Sequence, residues 1–183
     1  MDAKSSQARQ GLGRSRGGLT TKVHVICDGR GRSLATRVTP GQASDTKQLV
    51  VLLDQLGVAR PGRISRPRKR PDSLTADKAY SSKANRAALR ARKIVAVIPE
   101  RSDQKANRAR KGSSGGRPPD FDADRYRLRN QVERGFNRRK HWRGLATRYD
   151  KRIDSYQSTL DLADTLDWLR AAPNRTHDPS VTP

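Results

Sequence analysis

The spacing of apolar residues in the first part of the chain changes from that of a strand to that of a helix. Val23 and Val25 alternate with polar neighbours, which indicates a half-buried strand over residues 21–26. A glycine-rich turn at 28–31 predicts a hairpin, and residues 34–39 are predicted to form its returning strand. We therefore expect regular structure to begin with an antiparallel pair of strands.

A helix is predicted next, with signals at both ends. Asp45 is the expected N-cap, with Gln48 three residues later as in a capping box, and Gly57 stands where a C-terminal glycine belongs. Four leucines at helical spacing should cover one face of a sheet. They are Leu49, Leu52, Leu53 and Leu56. Residues 60–71 contain three prolines among basic residues and are predicted to form an exposed loop.

A β-α-β unit is predicted over residues 74–98. A short strand over 74–76 ends at Asp77, and a helix is expected over 82–92. Residues 94–98 are five consecutive apolar residues, a pattern typical of a parallel strand that is buried on both faces. The crossover between the two strands should be right-handed.

The second half of the chain is predicted to be mainly helical. Residues 101–119 are rich in glycine and arginine without an apolar stripe, and are predicted to form a loop. Helices are expected over 122–141 and 154–171. The order of elements predicts an α/β fold in which helices flank a mixed sheet.

The predicted domain spans residues 19–171. Residues 1–18 are small, polar and basic and are expected to form a flexible lead-in, and residues 172–183 are expected to form a disordered tail. The chain has a single cysteine, Cys27, which excludes an intramolecular disulfide and a zinc site built on cysteines.

The net charge of the chain indicates what kind of partner it binds. The chain has 40 Lys and Arg residues against 18 Asp and Glu, a formal net charge of +22 at pH 7. A surplus of this size favours a polyanionic partner, and nucleic acid is the first candidate. No apolar run approaches the roughly 18–20 residues that span a bilayer. We therefore expect a soluble cytoplasmic protein that associates with the nucleoid and not with a membrane.

Two stripes run along the helix predicted over 122–141. The apolar stripe should be buried: Leu128, Val132 and Phe136. The polar stripe lies beside it: Tyr126, Arg129, Glu133 and Lys140. One interpretation of the polar stripe is a solvated face on which Glu133 simply pairs with Arg129. The other is a functional edge where the helix meets the sheet.

Asp77 strengthens the functional interpretation. It follows a predicted strand, and open α/β sheets bind ligands at the carboxyl ends of their strands. An aspartate in a turn is the plain alternative. Together with Glu133, however, it could hold divalent cations such as Mg²⁺, and phosphodiester chemistry commonly uses two such ions about 3.5–4 Å apart.

Three segments of the chain resemble a known family. Residues 11–22, residues 76–82 and a spaced signature are similar to bacterial insertion-sequence DDE transposases, over about residues 11–170. The signature is Y-x2-R-x3-E-x6-K, and it is met by Tyr126, Arg129, Glu133 and Lys140. The segment 146–151 that follows is also similar. The chain corresponds to about the C-terminal two thirds of such an enzyme, its catalytic portion, and the resemblance implies an RNase H-like fold.

The resemblance also implies roles for individual residues. Asp77 would be the second acid of the catalytic triad and Glu133 the third, and both would bind Mg²⁺ or Mn²⁺ in a two-metal site. The implied DNA contacts are Tyr126, Arg129, Lys140, Arg138, Arg139 and Lys78. The implied reaction is metal-dependent cleavage of DNA at the element's end, followed by transfer of the freed 3′-hydroxyl to target DNA.

One departure from the family changes the expected activity. The first aspartate and its strand have no counterpart here, because Asp2 is too near the start and Asp28 lies in the hairpin turn. We therefore expect a sheet without its first strand, an incomplete two-metal site and an isolated chain that is inactive. Two origins stay open: a decayed remnant, or the downstream frame of a frameshifted element. The alternative function is that of a non-catalytic basic DNA-binding module or a regulatory product of an insertion sequence. The expected partners are transposon-end and target DNA, with a second copy or an upstream-frame product.

Overall fold

Five strands form two separate sheets in the computed structural model, which describes residues 10–16, 18–59 and 66–171. The antiparallel sheet has the order β1-β2-β3 and the other is the parallel pair β4-β5. The strands are β1 (Gly13–Ser15), β2 (Gly18–Cys27), β3 (Ser33–Pro40), β4 (Ser73–Thr75) and β5 (Val95–Val97). The α/β class is confirmed. The strands do not join into the single mixed sheet that was expected, because β2 and β4 do not pair.

Seven helices accompany the sheets among the described residues. They are α1 (Asp45–Gln55), α2 (Lys83–Ala91), α3 (Ser102–Arg110), α4 (Ala123–Arg127), α5 (Asn130–Lys140), α6 (Arg143–Thr147) and α7 (Ile153–Ala171). Short 3-10 turns occur at Lys78–Tyr80 and Gly112–Gly115. Across residues 10–16, 18–59 and 66–171, no helix combines the length and apolar character that crossing a membrane requires.

The predicted hairpin is confirmed and its turn is closed by Asp28. The Asp28 carboxylate accepts hydrogen bonds from the backbone N–H groups of Arg30 and Arg32, both at 2.9 Å.

Strand β1 also pairs with the start of β2, although the sequence pattern placed Gly13–Ser15 in a flexible lead-in. Backbone pairing holds this short, polar strand, so no apolar alternation marks it. Residues 1–9 and 17 of the predicted lead-in, 60–65 of the basic loop and 172–183 of the tail lie outside the described residues.

Helix α1 buries its leucine face as expected, but it begins differently. Ser44 occupies the N-cap position, and Asp45 is the first helical residue. The Asp45 carboxylate instead accepts a hydrogen bond from Lys22 Nζ at 3.0 Å, which ties the helix to β2. The expected capping box is therefore wrong, because the carboxylate has a stronger charged partner outside its helix. The four leucines are 2–3% exposed: Leu49, Leu52, Leu53 and Leu56.

The β-α-β unit is confirmed. Strands β4 and β5 are parallel in the register Ser73↔Val95, and Leu89 of α2 is fully buried between them and α1. Ser82 caps α2 by accepting a hydrogen bond from the Asn85 N–H at 3.1 Å. Val95, however, is 54% exposed. The expectation that β5 is covered on both faces is therefore wrong, because the side chain of Val95 faces solvent.

The second half contains two differences from the sequence-based expectation. The segment predicted as a loop over 101–119 contains α3. This helix has no apolar stripe, and Gln104 anchors it by hydrogen bonds with Ser81. The single helix expected over 122–141 is divided into α4 and α5 by a turn at 128–129. Helix α7 spans nearly the predicted residues.

Two apolar clusters form the core, and the apolar stripe of α5 belongs to neither. One cluster joins α1, α2, β4 and β5, and the other joins β3, α6 and α7. Leu128 is 55% exposed, and Val132 and Phe136 are half-buried. The buried residue of α5 is Gly135, where a Cβ would lie 2.9 Å from the Gly31 carbonyl oxygen. The expected full burial of the stripe is therefore wrong: Leu128, in the turn before α5, is exposed, and the described residues cover Val132 and Phe136 only in part.

Candidate metal and nucleic-acid site

Asp77 stands at the carboxyl end of the parallel strands. It follows β4 in extended conformation, with φ −65° and ψ 157°, and its carbonyl accepts a hydrogen bond from the Tyr80 N–H at 2.9 Å. This short turn directs the chain out of the sheet and leaves the Asp77 side chain 46% exposed. The location is the one that open α/β sheets use for ligands.

Arg129 brings Asp77 and Glu133 together. Its Nη2 atom lies 3.0 Å from Glu133 Oε1 and 3.6 Å from Asp77 Oδ2. Glu133 is in the first turn of α5 and is 55% exposed. The pairing of Glu133 with Arg129, foreseen as the plain interpretation of the polar stripe, is therefore present. The same guanidinium also pairs with Asp77, so carboxylates from a strand end and a helix face one cation.

The exposure of this cluster decides what it contributes. Ion pairs between side chains that are 36–55% exposed add little to the free energy of unfolding, because water solvates the separated charges nearly as well. These ion pairs matter instead because they hold the two carboxylates near each other. Two carboxylates remain accessible to solvent and ligands at one point of the surface.

The donor chemistry of the cluster suits a hard divalent cation. Carboxylate oxygens are the preferred protein ligands of Mg²⁺, which usually keeps several waters and needs only one or two carboxylates. Within residues 10–16, 18–59 and 66–171, no group of three or more His, Cys, Asp and Glu side chains is placed to hold a metal. Asp77 and Glu133 therefore offer a two-carboxylate donor set, which fits one partly hydrated ion.

The Asp28 carboxylate is occupied by hydrogen bonds and an ion pair within the hairpin turn. Although burial opposes ionisation, hydrogen bonds from Arg32 and from the Arg30 and Arg32 N–H groups hold the pKa of Asp28 below its ordinary value. Its Oδ2 lies 2.6 Å from Arg32 Nη2. The structure therefore supports the sequence argument that Asp28 belongs to the turn.

Tyr80 is a neighbour of the site that the sequence pattern did not reveal. Burial, together with the carboxylates of Asp45 and Asp77, raises the pKa of Tyr80 to about 12. The phenol therefore stays protonated at any physiological pH and can donate a hydrogen bond. Its side chain packs against the core cluster around α1. The local sequence pattern around Tyr80 does not predict this position beside the site.

The residues predicted to contact DNA divide into two groups. Lys78 and Lys140 are exposed, and Tyr126 packs on Phe121 with ring centroids 5.2 Å apart. Arg138 and Arg139 instead face α7. Arg139 binds Asp164 through two hydrogen bonds of 2.8 and 2.9 Å, and Arg138 binds Asp167 at 3.0–3.1 Å and the Gly31 carbonyl at 2.7 Å. The structure brings Arg138 and Arg139 to the α5–α7 contact and not to Asp77.

A groove of about 680 Å³ opens beside the carboxylates. We call it the inter-sheet groove, because it lies between β2 and β4, with α1 and α5 on its other sides. Asp77, Arg129 and Glu133 are at its edge. Trp168 of α7 also lines it, with the Arg32 guanidinium 3.9 Å from its ring centroid. The sequence carried one signal of this groove, the apolar stripe of α5, which was interpreted as core.

Comparisons with known proteins identify the family. The family model described as "Transposase DDE domain" matches residues 1–158. The chain is 33% identical over 146 residues to a protein of Burkholderia cepacia named as the transposase for insertion sequence element IS402. It is 30% identical over 156 residues to one of Brucella ovis named for element IS6501. No solved structure matches the chain significantly.

The two relatives are covered to different extents. The alignment uses 80% of this chain but 61% of the Burkholderia protein, so the chain spans about three fifths of that relative. For the Brucella protein it uses 83% of this chain and the whole of the relative. The family match extends over most of the chain and includes both Asp77 and Glu133. The chain therefore belongs to the DDE transposase family of bacterial insertion sequences.

Proposed function

We propose that this chain is the catalytic portion of an insertion-sequence transposase, acting on transposon-end DNA by metal-dependent phosphodiester cleavage and strand transfer. The observation that carries the proposal is the meeting of Asp77 and Glu133 on one guanidinium, within a family of DNA transposases. In this proposal the two carboxylates bind Mg²⁺ or Mn²⁺.

Each residue of the site has a separate task. A divalent cation bound there would supply the charge that activates water and stabilises a leaving oxygen in phosphodiester cleavage. Asp77 and Glu133 hold that charge at the edge of the groove. Arg129, released from the carboxylates, turns to a DNA phosphate, and the exposed Lys78 and Lys140 bind neighbouring phosphates. Tyr126, on α4, helps to orient the side of α4 and α5 that faces the DNA.

We further propose that the isolated chain is catalytically incomplete. An RNase H-like sheet without its first strand would leave β2 and β4 in separate sheets, which is how the described strands are arranged. A third carboxylate is then missing from the metal site, and two metals cannot be held in the spacing that the reaction requires. DNA binding should survive this loss, whereas cleavage should not.

A non-catalytic DNA-binding module is the second candidate. It is favoured by the net charge of +22 and by the Arg129 guanidinium, which already pairs with both carboxylates. Such a module binds DNA through its lysines and arginines alone, without need of a divalent cation.

The response of DNA binding to Mg²⁺ separates the two candidates. Fluorescence anisotropy on a duplex that carries the element's terminal inverted repeat should show binding that Mg²⁺ strengthens, because the ion shields the carboxylates from the phosphates. Asp77→Asn and Glu133→Gln should abolish that response, and the exposed Asp124→Asn should retain it. If Mg²⁺ weakens binding equally in all four proteins, the non-catalytic module is the correct account. Robust cleavage by this chain alone would contradict the proposed incompleteness.

A further inference from the structure

The hairpin of β1 and the start of β2 has a buried base and an exposed tip. Gly11 and Gly13 are buried at its base. The exposed residues of the tip are Arg14, Arg16 and Leu19, and the leucine is 56% exposed. None of these residues belongs to the proposed metal site, so that site does not explain why an apolar side chain and two charges are exposed together.

Close packing fixes the base of the hairpin to the turn after β3. The Gly41 N–H donates a hydrogen bond to the Thr20 carbonyl at 3.0 Å. The chain also passes so near this turn that a Cβ at Gly13 would collide with the side chains of Gln42 and Pro40. The base is therefore held in place, and the tip projects from it in one direction.

The two faces of the hairpin differ in chemistry. Arg14 lies opposite Leu19 in the β1–β2 pairing, so their side chains share one face. On the other face, the Thr20 hydroxyl donates a hydrogen bond to the Ser15 hydroxyl at 3.0 Å. Arg16 follows β1 directly at the tip. One face is thus occupied by an internal hydrogen bond, whereas the other presents a guanidinium and an apolar side chain to solvent.

The two arginines of the tip have no partner among the residues that the structure describes: neither forms an ion pair or a side-chain hydrogen bond there. By contrast, carboxylates bind Arg32 at 2.6 Å and Arg129 at 3.0 Å. Two unpaired positive charges beside an exposed leucine suit an anionic ligand that also has apolar surface. Duplex DNA has both, since its phosphates flank grooves whose stacked bases admit apolar side chains.

The tip projects from the end of the molecule that carries Asp77. Lys22 of β2 binds Asp45 at the start of α1 at 3.0 Å, and Thr46 of the same helix donates to the Ala79 carbonyl, just after β4, at 2.9 Å. The start of β2 and the end of β4 therefore meet at the start of α1. The four residues of β2 before Lys22 extend the hairpin by about 13 Å beyond this contact.

We propose that the hairpin tip, formed by Arg14, Arg16 and Leu19, enters the minor groove of duplex DNA and bends the duplex beside the carboxylate site. The inference rests on the proposed function, because the DNA it concerns is the one that the carboxylates would act on. Arginines are drawn into narrow, A·T-rich minor grooves, where the negative potential is enhanced. Proteins that bind there insert apolar side chains between base steps and kink the duplex by about 20–90°.

Other ligands fit the tip less well. The major groove admits a two-stranded ribbon, but it is read by polar contacts to base edges, which leave no need for an exposed leucine wedge. Gly18, with φ +97°, turns the chain without a side chain and keeps the tip slim enough for a groove about 6 Å wide. A second copy of this chain carries the same net charge of +22 and would be repelled.

Binding to a short A·T-rich duplex, measured by anisotropy in EDTA, tests the two arginines. The double variant Arg14→Gln/Arg16→Gln should bind at least tenfold more weakly, and its slope of log Kobs against log salt should be shallower by about 2. Netropsin, which occupies the minor groove, should displace the wild-type protein. Arg90→Gln is the matched control, because Arg90 is exposed before β5, at the opposite end of the parallel strands, and it should leave the affinity unchanged.

Fluorescence energy transfer between the two ends of the duplex tests the leucine. The wild-type protein should bring the ends closer, and Leu19→Ser should abolish that change while the duplex stays bound. Leu169→Ser removes a leucine of α7 that is 65% exposed and should retain the full bend. Both leucines lie outside the core, so neither substitution should lower the stability of the fold.

The failure of this inference is distinguishable from that of the proposed function. Wild-type affinity in the double arginine variant, a duplex that stays straight, or displacement by the major-groove ligand methyl green and not by netropsin overturns the hairpin's role. So does a full bend in Leu19→Ser. Because the assay contains no divalent cation, Asp77→Asn should bind and bend the duplex as the wild type does. A wild-type chain that binds no DNA would contradict the proposed function and this inference together.

Discussion

Asp77 and Glu133 are joined through a single nitrogen, the Arg129 Nη2, which lies 3.6 Å from one carboxylate and 3.0 Å from the other. One acid is fixed by the end of β4 and the other by the first turn of α5. The arginine thus acts as an internal counterion at the proposed metal site. Any divalent cation that binds the two carboxylates must compete with it.

Replacing this arginine should affect two ligands in opposite directions. In Arg129→Gln the competing charge is removed, so we expect Mn²⁺ to bind several-fold more tightly, as measured by isothermal titration calorimetry. The same variant should bind DNA more weakly, by roughly threefold, because one phosphate contact is lost. Arg125→Gln removes an equal charge from an exposed pair with Asp122 and should leave the affinity for Mn²⁺ unchanged. Weaker binding of Mn²⁺ to Arg129→Gln would show that the guanidinium supports the metal site and does not compete with it.

Two exposed lysines should contribute to DNA affinity through counterion release: Lys78, next to Asp77 in the chain, and Lys140, about two turns after Glu133 on α5. For Lys78→Gln and Lys140→Gln, the slope of log Kobs against log salt should each become shallower by about 1. Lys93 lies before β5, at the opposite end of the parallel strands, and Lys93→Gln should leave the slope unchanged. A salt titration of DNA binding measures all three. Equal effects of the three lysines would mean that DNA does not lie preferentially along the carboxylate edge.

The contact between Arg139 and Asp164 should be structural. Their side chains are 11% and 14% exposed, and Asp164 also accepts a hydrogen bond from Thr36 at 2.9 Å. Arg139→Met leaves the carboxylate largely buried without its cation, which should lower the free energy of unfolding by about 3 kcal/mol. Denaturant unfolding measures this change. The exposed pair of Arg127 and Asp124 provides the control, and Arg127→Met should cost less than about 1 kcal/mol. A normally stable Arg139→Met protein with weakened DNA binding would return Arg139 to the DNA contacts.

His24 should make stability depend on pH. Burial lowers its pKa from the ordinary 6.5, although Asp45 acts in the opposite direction, and Lys22 and Arg37 add to the lowering. Because the unfolded chain takes up the proton first, the stabilisation is complete above pH 6.5 and is lost as the pH falls towards the folded-state pKa. Urea unfolding at pH 7.5 and at a pH about one unit below 6.5 should show this loss. His24→Asn should flatten the dependence, and His141→Gln, at an exposed histidine, should not. An unchanged slope in His24→Asn would assign the dependence to other groups.

The local sequence pattern correctly predicted those elements whose apolar residues pack against other elements of the same chain. The hairpin, the leucine face of α1 and the β-α-β unit are all of this kind. Helix α3 was missed because polar contacts between Gln104 and Ser81 hold it, and these leave no apolar period in the sequence.

The candidate site was predicted in part for the same reason. Spacing along one helix placed Arg129 beside Glu133, but only the fold could bring Asp77 to the same guanidinium. The stripe of Leu128, Val132 and Phe136 looked like core because burial was inferred from apolarity alone. The described residues cover this stripe only in part, and apolar character alone does not show how much of a side chain the fold will cover.

The most direct measurement of the central claim is the binding of Mn²⁺ by electron paramagnetic resonance. If Asp77 and Glu133 form one divalent-cation site, the chain should bind Mn²⁺ at a single site. Asp77→Asn and Glu133→Gln should each weaken that binding at least tenfold, about 1.4 kcal/mol. Asp124→Asn, which removes an exposed carboxylate of α4, should leave the site intact. Binding that survives both Asp77→Asn and Glu133→Gln, or that Asp124→Asn reduces equally, would contradict the account.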